Sequence, residues 1–138
     1  MEVNETVNKA WELAKKVQTN AHAPYSHFQV GAALKLKNSE HIITGCNVEN
    51  ASFGATVCAE RGAIQTSIAQ FGKHAFEFIV VVSNTEPAIG PCALCLQVLC
   101  EFATSDMPIY FSNRNAIQKV VTFGDLLPQP FAEIPDTI

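Results

Sequence analysis

The sequence predicts an α/β protein, a three-layer α/β/α sandwich with a central mixed five-stranded sheet. Two observations support this prediction. Helical and strand-like hydrophobic patterns alternate along the chain, and residues 76–82 form an almost unbroken apolar run, which is typical of a strand buried on both faces. The chain has 138 residues, of which 48% are hydrophobic and 16% charged, and no repeat or Gly/Ser-rich linker interrupts it. We therefore expect a single domain over residues 1–138.

The first three predicted elements are a helix and a hairpin. Apolar residues recur at helical spacing between Asn4 and Gln18, with charged residues on the opposite side, which predicts an amphipathic helix. Apolar residues then alternate over residues 28–36, which predicts a strand with one apolar face. A turn at residues 37–40 leads into a second predicted strand, 41–46, so that the two strands form a hairpin.

The rest of the chain predicts two helices and three strands. Helical spacing runs over residues 58–70 and stops before Gly72, and a second helical pattern covers residues 92–103 after Pro91. The strands are predicted at residues 76–82, 108–111 and 118–121. Because the helices alternate with the central strands, they are expected to cover the sheet on both faces.

Charge and cysteine content limit the possible partners and compartments. The net charge is -4, and the nine Lys and Arg residues are scattered, which argues against a nucleic acid polymer as partner. The first residues are acidic and lead into an amphipathic segment, which fits neither a signal peptide nor a membrane span. We expect a cytoplasmic protein, because a reducing compartment suits an odd number of cysteines, five, that remain free to bind metal.

Two short motifs predict a catalytic zinc site with one Zn²⁺ per chain. Cys58-Ala59-Glu60-Arg61 begins one predicted helix, and Pro91-Cys92-x-x-Cys95 begins the other. Three thiolates hold Zn²⁺ and leave its fourth position to water, and helix N-termini favour the thiolate form. Glu60 is the catalytic candidate, since a carboxylate that is not a ligand moves protons between water and substrate. This combination is typical of zinc deaminases that act on nucleobases.

Three further residues near these motifs have two readings each. Arg61 is either a cation that offsets the surplus negative charge of the sulfurs or an ordinary exposed helix residue. Cys46 and Cys100 lie outside the motifs and are expected to be small buried apolar residues. Either of them would instead be a fourth ligand if the zinc site were structural and closed.

The chain resembles the small, single-domain cytidine deaminases. The resemblance rests on the two zinc motifs, on Gln97-Val98-Leu99 after the second of them, and on the segments 23–33 and 44–52. It covers most of the chain.

The resemblance implies a nucleoside substrate and roles for further residues. It implies that Asn47 and Glu49 bind the ribose hydroxyls, that Phe28 packs against the pyrimidine, and that the Ala59 backbone helps to read the base. It also implies that Gln97, like Arg61, supports the metal ligands. The implied reaction is hydrolytic deamination of cytidine and 2′-deoxycytidine in pyrimidine salvage.

Small cytidine deaminases are homotetramers in which neighbouring chains complete each pocket. By resemblance, Ala51 and Phe53 reach an adjacent site, and Phe131 covers one. The sequence also departs from the family pattern, which commonly has Gly at Ala93, Arg at Leu96 and Tyr at Phe53. These departures leave the zinc ligands intact but bear on subunit contacts and substrate range.

Two other interpretations remain open at this point. Blasticidin deaminases and other aminohydrolases use the same zinc apparatus on a different substrate. The second interpretation assigns a different function, since Cys92-Ala93-Leu94-Cys95 after a buried strand is also typical of a thioredoxin-like redox pair. That interpretation leaves Cys58 and Glu60 without a role.

Overall fold

Five strands form one mixed sheet in the computed structural model, which describes all 138 residues. The strand order is β2-β1-β3-β4-β5, in which β3 and β4 are parallel and every other pair is antiparallel. This mixed five-stranded sheet with helices on both faces confirms the predicted fold class, including the β1–β2 hairpin. The elements in chain order are α1 (Glu5–Gln18), β1 (Gly31–Leu36), β2 (Ile42–Cys46), α2 (Ala59–Phe71), β3 (Phe76–Val82), α3 (Ala93–Leu99), β4 (Pro108–Ser112), β5 (Ile117–Thr122) and α4 (Phe123–Leu126).

Helix α1 covers one face of the sheet. Asn4 caps its N-terminus, because the Asn4 side chain accepts a hydrogen bond from the Val7 N–H at 2.9 Å. The buried face of α1 packs on β1 and β3 and forms one of two cores. That core contains Val7, Ala10, Ala14, Ala33, Phe78, Val80 and Val82.

Helices α2 and α3 cover the opposite face and enclose the larger core. Helix α2 approaches β2 closely because Gly45 has no side chain. A Cβ atom at Gly45 would lie only 2.4 Å from both the Ala59 carbonyl oxygen and the Ala63 nitrogen. This contact between backbones fixes the start of α2 against the sheet, next to Cys58 and Glu60.

Two sequence predictions need correction. Strand β1 begins at Gly31 instead of Phe28, and all of its residues are buried instead of one face only. The reason is its position: β1 lies between β2 and β3 and is covered by helices on both faces. The third predicted helix, expected over residues 92–103, ends at Leu99 instead of Ala103, because the Phe102 and Ala103 N–H groups both donate to the Leu99 carbonyl and close a turn.

Two short elements were not predicted. Helix α4 is a single turn, started by a capping box in which Thr122 and Asp125 bond to each other's backbone N–H groups. A 3-10 turn spans Phe53–Ala55 in the segment that leads to Cys58. None of the helices has the length and apolar character needed to span a membrane.

Candidate active site

One cleft of about 420 Å³ opens where α2 and α3 begin, beside the end of β3. Seven of the residues singled out in the sequence line this cleft or its floor. They are Phe28, Asn47, Glu49, Cys58, Ala59, Glu60 and Cys92. The two zinc motifs and the segment 44–52 therefore meet at one place, as the sequence predicted.

Three sulfur atoms gather at the floor of the cleft. The Sγ of Cys92 lies 3.9 Å from that of Cys58 and 3.7 Å from that of Cys95, and all three atoms lie within 4.8 Å of one another. Zn–S bonds of about 2.3 Å in a tetrahedron place sulfurs roughly 3.8 Å apart. The observed sulfur separations therefore fit a zinc ion held by these three residues.

The helix starts position the sulfurs. Cys58 and Cys92 are the N-cap residues of α2 and α3, and Cys95 lies in the first turn of α3, where it is fully buried. A helix N-terminus has N–H groups without helical partners and the positive end of the helix dipole, and both favour thiolates. The predicted placement of both motifs at helix N-termini is confirmed.

The cluster already favours a thiolate at Cys58. The neighbouring Cys95 thiol lowers the pKa of Cys58, and Arg61 adds a hydrogen bond and its charge, so that this pKa falls to about 5. The pKa of Cys95 is raised, first by its hydrogen bond to Cys58 and then by burial. Ionising the other sulfurs as well needs more positive charge, which a divalent cation supplies.

Arg61 faces the sulfurs rather than solvent. Its Nη2 donates to the Cys58 Sγ and to the Thr56 carbonyl oxygen, both at 3.4 Å. Its Nε is buried without a hydrogen-bond partner. Of the two readings left open by the sequence, the structure supports the cation that offsets sulfur charge.

Glu60 lies beside the cluster and is almost closed off from solvent. Its side chain is 4% exposed, and its carboxyl is not among the three grouped metal-ligand atoms. Burial raises the pKa of Glu60 to about 7, and the Cys58 thiolate adds to this effect. In the metal-free protein, Glu60 therefore exchanges a proton near neutral pH.

The opposite wall of the cleft contains Asn47 and Glu49. The Asn47 side chain holds the segment that leads into β1. Its Oδ1 accepts from the Val30 N–H at 2.9 Å, and its Nδ2 donates to the Phe28 carbonyl at 2.8 Å. One N–H and one lone pair of this amide remain free for a ligand.

Glu49 holds the turn that precedes Phe28. Its Oε1 accepts from the Tyr25 and Ser26 N–H groups at 3.0 and 3.1 Å, and its Oε2 accepts from the Ser26 hydroxyl. The hydroxyl of Ser26 in turn accepts from the Phe28 N–H at 3.0 Å. These bonds, first that from the Ser26 hydroxyl, lower the pKa of Glu49. Glu49 stays ionised and keeps one lone pair on Oε2 free.

Four predicted residues lie away from the sulfurs. Gln97 donates to the Phe131 carbonyl oxygen at 2.8 Å, so it contacts the C-terminal segment and not the metal ligands. Ala51 and Phe53 are exposed, and Phe53 makes an edge contact with Tyr25. The Phe131 side chain is itself 65% exposed.

Sequence reasoning missed some cleft residues. Ser26 and Ser83 line the cleft, but neither of them was assigned a role from the sequence. The available signal was a polar residue directly after the apolar run 76–82, at the strand end where sites are often built. Thr56 and Gly90, which also line the cleft, carried no signal of this kind.

The remaining cysteines do not close the metal site. Only Cys58, Cys92 and Cys95 group together, and the Cys100 Sγ instead contacts the Gln97 amide at 3.5 Å. Cys46 and Cys100 are partly buried and separate from the cluster. A closed zinc site with four cysteine ligands is therefore excluded. The interpretation of Cys92 and Cys95 as a redox pair gives no role to Cys58, whose sulfur lies beside theirs.

Comparisons with known proteins agree with this site. The profile of the family described as "Cytidine and deoxycytidylate deaminase zinc-binding region" matches residues 4–111. The cytidine deaminase of Sporosarcina psychrophila is 39% identical over 127 residues, which are 92% of this chain and 92% of the relative. That of Halalkalibacterium halodurans is 39% identical over 118 residues, which are 86% of this chain and 88% of the relative.

Solved structures give the same result. The crystal structure of cytidine deaminase from Burkholderia pseudomallei superimposes with a TM-score of 0.84 at 37% identity, covering 94% of this chain and 100% of the other. The structure of cytidine deaminase from Mycobacterium tuberculosis has a TM-score of 0.79 at 32% identity, covering 94% and 98%. Sequence, fold and metal site together show that this chain belongs to the family of zinc-dependent cytidine and deoxycytidylate deaminases.

Proposed function

We propose that this enzyme hydrolyses cytidine and 2′-deoxycytidine to uridine and 2′-deoxyuridine with release of ammonia. The observation that carries the proposal is the buried Glu60 carboxylate beside the three-sulfur cluster, at the floor of a cleft whose opposite wall has free polar groups on Asn47 and Glu49. A cleft of about 420 Å³ lies in the size range of small-molecule sites.

Cys58, Cys92 and Cys95 would hold the zinc ion, and Arg61 offsets part of their negative charge. A zinc ion bound there would supply Lewis acidity, which makes a water molecule easier to ionise. Glu60 takes a proton from the attacking water and passes it to a ring nitrogen of the base. It then takes the remaining proton of the added hydroxyl group and delivers it to the amine, which leaves as ammonia when the C–N bond breaks. Its burial keeps bulk water from competing for these protons.

The other wall of the cleft positions the nucleoside. Phe28 provides a flat apolar surface for the pyrimidine, and Ala59, the first residue of α2, has a backbone N–H that no helical carbonyl accepts. Asn47 and Glu49 bind the sugar hydroxyls through their free hydrogen-bonding groups. A sugar-bearing substrate is therefore favoured over the free base.

We further propose that the enzyme is a homotetramer with shared active sites, in the cytoplasm and in pyrimidine salvage. Large exposed apolar side chains support this assembly, including Phe53, which is 74% exposed, together with Leu94 and Phe131. Ala51 and Phe53 would reach the neighbouring pocket, and Phe131 would cover one. Light scattering tests this assembly, and a monomer at working concentration would contradict it.

The direct test is an assay of uridine and ammonia formation from cytidine by the zinc-loaded protein. We expect Glu60→Gln to lower kcat by about 10²- to 10⁴-fold while the variant retains about one zinc per chain. Glu40→Gln is the matched control, since Glu40 is exposed in the turn before β2. Full turnover in Glu60→Gln would refute the proton transfer, and a zinc-loaded wild-type protein that releases no ammonia would refute the function.

Comparing substrates tests the sugar contacts in the same assay. We expect cytidine and 2′-deoxycytidine to be turned over with higher kcat/KM than cytosine, because only nucleosides engage Asn47 and Glu49. Equal turnover of cytosine would show that these side chains do not read the sugar.

A further inference from the structure

Residues 84–91 form the loop that delivers Cys92 to the metal site, and this loop is attached to the β4–β5 end of the sheet. The Ala88 N–H donates to the Gln118 side chain at 2.7 Å, and the Gln118 amide donates to both carboxylate oxygens of Glu86. Asn113, at the end of β4, donates to the Thr85 carbonyl at 3.1 Å. The part of the loop before Gly90 is therefore fixed by hydrogen bonds to the β4–β5 side of the sheet.

At Gly90 the loop lies directly on the ring of Phe111. A Cβ atom at Gly90 would lie 2.3, 2.5 and 2.9 Å from three atoms at the end of that ring. Contacts this short do not occur between carbon atoms, so either the loop or the ring must move if a side chain is added. Gly90 does not have a positive φ, so space is the reason for glycine at this position.

The ring of Phe111 is the less movable partner. Phe111 is 9% exposed and belongs to the larger core, and the Lys119 ammonium lies 5.8 Å from its ring centroid. The loop has no secondary structure of its own and is held by a few side-chain hydrogen bonds. An added methyl group is therefore expected to lift the loop by about 1 Å to reach ordinary van der Waals contact.

Cys92 lies two residues beyond Gly90 and would move with the loop. Metal–ligand distances tolerate only about 0.2 Å of change, and the Cys92 sulfur now lies 3.9 and 3.7 Å from its two neighbours. We propose that Gly90 is a positioning residue of the zinc site, which sets the place of the Cys92 sulfur by allowing the loop to rest on Phe111.

The test measures zinc release from the zinc-loaded protein to a chromogenic chelator. We expect Gly90→Ala to release zinc at least about tenfold faster than the wild type, in the range seen when groups that orient metal ligands are removed. Gly54→Ala is the matched control, because a Cβ at Gly54 meets nothing within 4 Å. Zinc release is measured without substrate, so its outcome is independent of the proposed reaction.

A second variant separates this role from general damage to the fold. Phe111→Leu removes the ring atoms that the new Cβ would meet, so Gly90→Ala/Phe111→Leu should release zinc within about twofold of Phe111→Leu alone. If Gly90→Ala fails to fold, rescue of folding and zinc retention by the double variant supports the same contact. Wild-type release by Gly90→Ala, or a double variant that stays as fast as Gly90→Ala or stays unfolded, would overturn the proposal.

Discussion

The two sides of the cleft are built in different ways. On the sulfur side, Cys58 and Cys92 are helix N-caps, Cys95 is fully buried, and Glu60 is nearly so. Their places are therefore set by helix geometry and core packing. On the sugar side, Glu49 is held by hydrogen bonds to a turn more than twenty residues away in the chain, near the surface.

This difference predicts different responses to mutation. Metal ligands act as a set, because the ion needs all of its donors at fixed distances. The hydrogen bonds of the sugar side are separate interactions that contribute roughly 0.5–3 kcal/mol each. Substitutions on the sulfur side should therefore abolish function almost completely, while those on the sugar side should weaken it in steps.

The largest expected effect is the loss of one sulfur. We expect Cys95→Ala to lose zinc and to lower activity by at least about 10³-fold, since Lewis-acid stabilisation contributes several kcal/mol. Zinc content by metal analysis and turnover of cytidine are measured on the same sample. Cys100→Ala is the control, because its sulfur lies outside the cluster. Retention of stoichiometric zinc by Cys95→Ala would show that the sulfur set is wrong.

The contrast between the two sides also explains what could be predicted from the sequence. The sulfur side is encoded by two short motifs at helix starts, where spacing, N-cap position and metal chemistry agree. All four key residues lie in these two motifs, namely Cys58, Glu60, Cys92 and Cys95. Only the meeting of the two motifs required the fold. Both segments begin helices on the same face of the sheet, which brings them together.

The sugar side could not be predicted in this way. The bond between Ser26 and Glu49 joins two irregular segments, and irregular segments have no hydrophobic period that would reveal their contact. The roles of Asn47 and Glu49 came from the family resemblance alone. The contact of Gly90 with the Phe111 ring could not be predicted either, because it depends on the conformation of a loop that has no regular sequence pattern. For β1, the alternation of residues was real, but two covering layers buried both faces.

The next prediction tests whether Glu49 binds the sugar. We expect Glu49→Gln to raise the KM for cytidine about 10- to 100-fold with zinc retained, because a hydrogen bond to a charged group contributes roughly 1.5–3 kcal/mol. The amide also weakens the bonds to the Tyr25 and Ser26 N–H groups. Glu40→Gln again serves as the control. A fall in kcat with unchanged KM would move Glu49 from substrate binding to the reaction step.

The smallest expected effect separates direct sugar contact from support of it. Ser26→Ala removes the hydroxyl that donates to Glu49 and accepts from the Phe28 N–H. We expect KM for cytidine to rise about 2- to 10-fold, with kcat and zinc content little changed. The rise is smaller than for Glu49→Gln because Ser26 acts on the sugar only through Glu49, whose carboxylate keeps its bonds to the backbone N–H groups. Ser26→Thr keeps the hydroxyl and should restore KM.

A double-mutant cycle decides how this effect is transmitted. If Ser26 acts by holding Glu49, the combined Ser26→Ala/Glu49→Gln variant should show a smaller rise in KM than the product of the two single effects. Fully multiplicative effects would mean that Ser26 positions Phe28 independently of the carboxylate. An unchanged KM in Ser26→Ala would mean that the backbone N–H groups alone hold Glu49 in place, so that the sugar side would be fixed by main-chain geometry just as the sulfur side is.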